Sequence, residues 1–364
     1  ACTVVSFALT GLLIRHANKH SLAYAETMPQ RFHFGHVPRL GGLAMFACCT
    51  LAWGYLAAPP AFGLQSPAQL DPRLAFGLWL TALVPVTAGI ADDITQRIAA
   101  RWRLMASVLS ACIAVFALQL TLDRSDVSLF DAWLRTQPWL GMMLLLLIIS
   151  GAPHSFNMID GYNGLASTVG LICFAVLGYV SYRVDDLELL TLSLTLAGST
   201  VGFLIWNYPR GLIFAGDGGA YLWGTTIATV SILLVVRHSE VSPWFPILLM
   251  SYPIQETVFS IYRKTMRGES PACADALHLH QLIHRRIVRR SSHSDIARRI
   301  LVRNNRTAPY LWALALLTLV PAALFWNRTG PLILATATFI AAYVVVYFSI
   351  VRFKGQRWTR RKIF

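Results

Sequence analysis

Of the 364 residues, 55% are hydrophobic and 13% are charged, and Lys and Arg outnumber Asp and Glu by 31 to 17 for a formal net charge of +14. Such a composition excludes the ordinary soluble enzymes and makes the lipid bilayer the expected solvent. The charge does not indicate nucleic acid as a partner, because it gathers at the ends of apolar segments, where it suits membrane lipids with anionic head groups and phosphorylated substrates.

In chain order, apolar stretches fall at about 1–14, 40–58, 73–91, 104–122, 138–156, 164–182, 187–206, 219–236, 244–262, 308–325 and 331–351. Their lengths suit membrane-spanning helices. The expected architecture is therefore all-α: a polytopic integral membrane protein of about 11 transmembrane helices, in one domain covering 1–364, with no linker or internal repeat. The first stretch is short, so Ala1 is expected to lie in a helix already begun, and no small-residue cleavage pattern marks a signal peptide. With the N-terminus outside and the C-terminus cytoplasmic, 25 of the 31 Lys and Arg residues fall inside, mostly in a large loop at 263–306 and a basic tail at 352–364. That asymmetry is the positive-inside pattern. The six cysteines form neither a disulfide framework nor a CxxC metal motif.

Five polar motifs interrupt these stretches: RFHFGHVPRLGG (31–42), ADDITQRIAARWR (91–103), NMIDGYNGLA (157–166), FAGDGG (214–219) and HLHQLIHRR (278–286). The topology puts all five on the cytoplasmic side, which implies one shared cleft. Carboxylates at a membrane edge are costly and mark function, so Asp92, Asp93, Asp160 and Asp217 are site candidates. A second acidic pair, Asp185 and Asp186, falls in a short outside turn and reads as solvated.

Four carboxylates with Asn157, and no cysteine nearby, form a hard oxygen-rich set suited to Mg²⁺ or Mn²⁺. Mg²⁺ takes few protein oxygens and completes its shell with phosphates, so a diphosphate substrate is expected. Gly216, Gly218 and Gly219 would let backbone approach that substrate, and the helix that follows would aim its positive end at the phosphates. Adjacent Asp92 and Asp93 point to different sides and do not chelate one ion together. His278, His280 and His284 with Arg285 and Arg286 lack a carboxylate third ligand for zinc and suit phosphate binding instead.

HVPRLGG, GIADD, FNMIDGYNGLA, FAGDGGAYLWG and DALHLHQLIHRR, in that order, resemble the polyprenyl-phosphate N-acetylhexosamine-1-phosphate transferase family over nearly the full chain. The resemblance implies attack by a polyprenyl (undecaprenyl) phosphate on a UDP-N-acetylhexosamine, most simply UDP-GlcNAc. The products are a polyprenyl diphosphate-sugar and UMP, with Mg²⁺ or Mn²⁺ as cofactor. It implies a bacterial inner-membrane enzyme with a cytoplasmic active site and admits a homodimer. Asp217 and Asn157 resemble the metal ligands, and Phe214 matches the uracil-stacking aromatic. Asp160 and Asn163 match residues near the nucleoside, and His278, His280 and Arg103 match groups at the diphosphate, with Arg101 as an alternative to Arg103. The expected catalytic set is thus Asp92, Asp93, Asp160, His278 and His280, and His33, Arg39, His284 and Arg285 join the substrate-binding set. Whether Asp92 or Asp93 is a base or orients the acceptor stays open. The chain departs from the family pattern at Asn163 (commonly Asp), Gln96, Gln281 and Glu256 (often Asp).

Two other functions compete: the peptidoglycan phospho-MurNAc-pentapeptide transfer of the same family, and a membrane transporter. The PRLGG form of the first motif and eleven rather than ten spans favour a GlcNAc-type initiator of a cell-surface glycan. Acids confined to one face, rather than marking a path across, disfavour transport.

Overall fold

The computed structural model describes residues 1–16, 37–58, 69–269, 277–288 and 295–352, and those residues are helical with short connections and no strand. The helices are α1 (Cys2–His16), α2 (Gly41–Ala57), α3 (Pro72–Thr95), α4 (Ala100–Ala117), α5 (Ser128–Thr136), α6 (Pro138–Ile159), α7 (Leu165–Arg183) and α8 (Leu187–Asn207). They continue with α9 (Gly216–Arg237), α10 (Trp244–Leu249), α11 (Ser251–Met266), α12 (Leu279–Arg286), α13 (Ile296–Asn305), α14 (Ala308–Leu324) and α15 (Thr329–Arg352). Among the described residues eight helices are long and apolar enough to cross a membrane, counting Ile296–Leu324 as one, and α1 and α2 are shorter apolar helices. This is a multi-pass membrane protein.

The stretch at 244–262 is not one helix, as the apolar pattern predicts, but two. The chain breaks at Met250, between a six-residue α10 and an α11 that carries Glu256, Arg263 and Lys264. Pro246 and Pro253 fall in the first turn of each piece, the positions where a missing N–H costs no intrahelical bond. Short length and three charges keep α11 from the standard of a spanning helix.

Helix α9 is the axis of the bundle, and 94% of its most apolar window is buried, against α2, α3, α6 and α7 among others. Three of its hydroxyls return to its own carbonyls, Thr226 to Leu222, Thr229 to Thr225 and Ser231 to Ala228, so no bare polar atom results at those positions. At its N-terminal end two helices come against its backbone. A Cβ on Gly42 of α2 would collide with the Gly219 nitrogen, and one on Gly89 of α3 would lie 2.6 Å from the Gly218 nitrogen. Gly218 and Gly219 therefore serve helix packing, within contact of Ile90 and Met45, and not the approach of a substrate as the sequence suggests. Backbone meeting backbone has no side chain that can yield, so Gly89→Ala is expected to cost more than about 2 kcal/mol. A lowered midpoint in thermal or denaturant unfolding in detergent would show it.

The acidic turn at 185–186 also departs from expectation. Asp185 is exposed at φ 57°, but the Asp186 side chain is only 7% exposed. Asp186 caps α8 by accepting the Leu189 N–H at 2.9 Å, and it pairs with His238 at 3.0 Å and Arg237 at 3.2 Å. Burial raises its pKa, but these partners outweigh burial and hold it below the usual carboxylate range. Asp186 is thus a buried latch between α8 and α9, and Asp185 alone is the solvated residue.

Candidate active site

The C-terminal ends of α3 and α6 and the N-terminal ends of α2, α4 and α9 meet at one end of the bundle around a cavity of about 410 Å³. Of the sequence candidates, Arg39, Asp93, Arg103, Asn157, Asp160, Phe214, Asp217, His278 and His280 line it. Residues distant in sequence thus converge there.

The first turn of α9 is tied down by carboxylates. Asp93, 5% exposed, accepts the Asp217 N–H on Oδ1 and the Gly218 N–H on Oδ2, both at 3.0 Å. Asp160 accepts a hydrogen bond from the Gly216 backbone. Gly216 itself stands at φ 72°, a left-handed conformation in which a side chain would also strike the Arg39 carbonyl and Asp93. The unsatisfied donors that open every α-helix are therefore capped by the protein's own acids. This corrects the expectation that α9 presents a free positive end to phosphates. It also gives the adjacent acids separate tasks.

Asp92 accepts the Ile98 N–H at 3.0 Å and pairs with Arg103 at 3.0 Å. The same guanidinium nitrogen bonds Asp217 Oδ2, so Arg103 clamps the end of α3 to the start of α9. Arg101 is exposed, lies over its neighbour Trp102 and does not line the cavity, which leaves Arg103 as the basic residue of this motif at the site. Burial and the nearby Asp217 charge push Asp160 up to about 7, with Arg39 and the Gly216 bond opposing them.

Phe214 and Arg39 are placed by pairing of two segments: Phe214 N–H to Pro38 O, Gly41 N–H to Phe214 O and Gly42 N–H to Ala215 O, at 2.9 to 3.0 Å. Across the cavity the rings of His278 and His280 stack 5.2 Å apart and 3° from parallel. Glu256, wholly buried, lies behind both, 3.6 Å from His278 Nδ1 and 3.5 Å from His280 Nδ1, and accepts the Leu279 N–H at 3.3 Å. Paired this way, one buried carboxylate orients two imidazoles and caps the start of α12. Glu256 thus serves the site without reaching it.

Several sequence candidates stand elsewhere. Asn163 is buried, donates its backbone N–H to the side-chain oxygen of Asn304 and its Nδ2 to that of Asn305, and does not line the cavity. Its amide fastens the turn after α6 to the end of α13, a task any short amide-bearing side chain of its kind performs by donating, which Asp does not. His284 contacts Thr307 at 2.9 Å and the Tyr162 ring, outside the cavity. Burial, Arg303, Arg285 and His280 push its pKa down to about 4, so it is a neutral imidazole and not a cationic phosphate ligand. Arg285 is exposed and away from the cavity lining. His33 lies outside the described residues. Conversely, His154 and Tyr221 line the cavity without having been singled out, and Gln281, noted only as a departure from the family pattern, lines it too. Helical spacing signals the first two: His154 precedes Asn157 by three residues and Tyr221 follows Asp217 by four, so each shares its neighbour's face.

Comparison with known proteins bears on what gathers here. Residues 75–235, which hold the three aspartate-bearing motifs and most of the cavity's spanning helices, match the family described as Glycosyl transferase family 4. Over those residues the chain is similar to this family. Among relatives, it is 27% identical over 252 residues to the "Probable undecaprenyl-phosphate N-acetylglucosaminyl 1-phosphate transferase" of Bacillus subtilis (strain 168), covering 69% of this chain and 66% of that protein. It is 27% identical over 325 residues to the "Decaprenyl-phosphate N-acetylglucosaminephosphotransferase" of Mycobacterium leprae (strain TN), covering 78% and 77%. It is 25% identical over 284 residues to the "Undecaprenyl-phosphate alpha-N-acetylglucosaminyl 1-phosphate transferase" of Thermotoga maritima, covering 78% and 80%. The family 4 match ends at the last turn of α9, so the His278 and His280 wall lies outside the matched residues.

Proposed function

We propose that this chain is a family 4 protein and transfers N-acetylglucosamine 1-phosphate from UDP-GlcNAc to a polyprenyl phosphate in the bacterial inner membrane, releasing UMP on the cytoplasmic side. The observation that carries the reading is the cavity itself: Asp217 clamped to Arg103, with Arg39, His278 and His280 facing the same space. The names of the relatives supply the sugar and the class of lipid.

The reaction forms one phosphorus–oxygen bond, from the lipid phosphate to the sugar-linked phosphorus, and breaks the bond from that phosphorus to UMP. A phosphate monoester is largely ionised at neutral pH, so the nucleophile needs little help from a base. The obstacle is repulsion between two anions. Arg39, Arg103 and the two histidines offset that repulsion and align the groups. Phe214 offers a ring for the uracil, and Asp92 and Asp93 organise Arg103 and α9 instead of accepting a proton.

Mg²⁺ or Mn²⁺ fits the residues present. Among the described residues no three His, Cys, Asp or Glu side chains stand together as a closed metal cage. An open, all-oxygen pair, Asp217 and Asn157, is what a metal shared with substrate phosphates takes. Arg103, a cation resting on Asp217, marks where positive charge is held. When bound, the ion would neutralise charge on the diphosphate.

The test is UMP release by the full chain in nanodiscs with UDP-GlcNAc, undecaprenyl phosphate and Mg²⁺. Turnover that EDTA stops and Mg²⁺ restores is the expected result. Turnover with UDP-MurNAc-pentapeptide alone would reassign the sugar, and no UMP from any UDP-sugar would remove the transferase reading in favour of transport.

A further inference from the structure

The cavity has a second polar layer one helical turn deeper than the first. Arg103 on α4, Asn157 on α6 and Asp217 on α9 form the upper layer. Ser107, His154 and Tyr221 are displaced from them by four, three and four residues, each toward the interior of its spanning helix. One turn is about 5.4 Å of rise. Three helices thus repeat one pattern at the same depth, in a region where polar side chains are costly and mark function.

The three touch. Ser107 Oγ is 3.1 Å from His154 Nε2 and donates to the Arg103 carbonyl at 3.1 Å, and the His154 ring meets Tyr221 edge-on with centroids 5.2 Å apart. His154 and Tyr221 line the cavity. Tyr221 is 0% exposed, and its hydroxyl has no hydrogen-bond partner among the described residues. A buried hydroxyl of this kind, at a cavity wall, is a donor awaiting a ligand. On the α4 side of the layer, Leu104, Met105, Val108 and Leu109 are exposed and apolar, a surface suited to a hydrocarbon chain.

We infer that this deeper layer receives the phosphate of the lipid acceptor, with the Tyr221 hydroxyl donating a hydrogen bond to a phosphate oxygen. The inference rests on the transferase reading above and assigns the two substrates to different depths. A nucleotide sugar arrives from water and meets the upper layer at the mouth. An isoprenoid phosphate arrives from the bilayer with its head group at the level of Tyr221 and its tail against α4. His154, held by Ser107, supports the phenol ring.

The experiment separates this inference from the reaction itself by measuring binding as well as turnover. Wild-type protein, Tyr221→Phe and Ser107→Ala are titrated in detergent with farnesyl phosphate, farnesol and UDP-GlcNAc. Wild-type protein is expected to prefer farnesyl phosphate to farnesol, Tyr221→Phe to lose about tenfold or more of that preference, and UDP-GlcNAc affinity to stay within about twofold. In turnover, Tyr221→Phe should lower kcat/KM for undecaprenyl phosphate while leaving KM for UDP-GlcNAc unchanged. Because the hydroxyl holds no protein partner, the unfolding midpoint of Tyr221→Phe should match the wild type. Ser107→Ala, which frees the histidine, should weaken farnesyl phosphate binding less. An undiminished preference in Tyr221→Phe, no preference in the wild type, or a loss confined to UDP-GlcNAc would each overturn the inference. Absent UMP release with the phosphate preference intact would instead leave the lipid site standing and remove the transferase reading.

Discussion

Asp217→Ala is expected to lower UMP release by about 1,000-fold or more, the scale of losing a preorganised charge at a reacting phosphate. Asp217 faces the cavity on the first turn of α9 and is the partner of Arg103. Its removal would take away a proposed metal oxygen and release the guanidinium from α9 in the same step. Asp185→Ala is the matched control, because Asp185 is exposed in the turn between α7 and α8. It should retain turnover within about twofold, as surface substitutions do. Parallel assays of both variants in the same nanodiscs decide the matter, and equal losses would mean that the cavity is not where the chemistry occurs.

Asp93→Asn should be nearly as damaging for a different reason. The carboxylate accepts one backbone N–H on each oxygen, from Asp217 and from Gly218. An amide accepts on one side only and turns a second donor toward the other N–H. A buried donor left unpaired costs about 1–3 kcal/mol, and the charge that favours a helix N-terminus is lost with it. The first turn of α9 would shift, and a displacement of about 1 Å at reacting groups costs roughly 100-fold in rate. Amide hydrogen exchange discriminates this from loss of a base: Asp217 and Gly218 should exchange faster in Asp93→Asn while α14 is unchanged. Full protection of those amides with the activity lost would make Asp93 a participant in the chemistry instead of a support.

The spanning helices are legible because apolar runs of bilayer length carry their own signal, and the alternation of Lys- and Arg-rich with Lys- and Arg-poor connections orders them. The gathering of Asp93, Asp160, Asp217, His278 and His280 at one end follows from that order alone. What stayed hidden depends on distances between helices. Hydropathy does not tell that Gly218 and Gly219 face Gly89 and Gly42 and not a ligand, since both arrangements call for glycine. Nor does it tell that Glu256 sits behind two histidines from another segment, or that Asn163 reaches Asn304 and Asn305. The break at Met250 was missed because Tyr252, Ile254 and Val258 keep the local average apolar around Glu256.

The two walls of the cavity leave the ribosome at different times. Asp93, Asn157 and Asp217 are already in place when α9 inserts, whereas Glu256 and the imidazoles it aligns are translated later. A nascent chain paused after α9 therefore carries the acidic wall without the imidazole wall that opposes it.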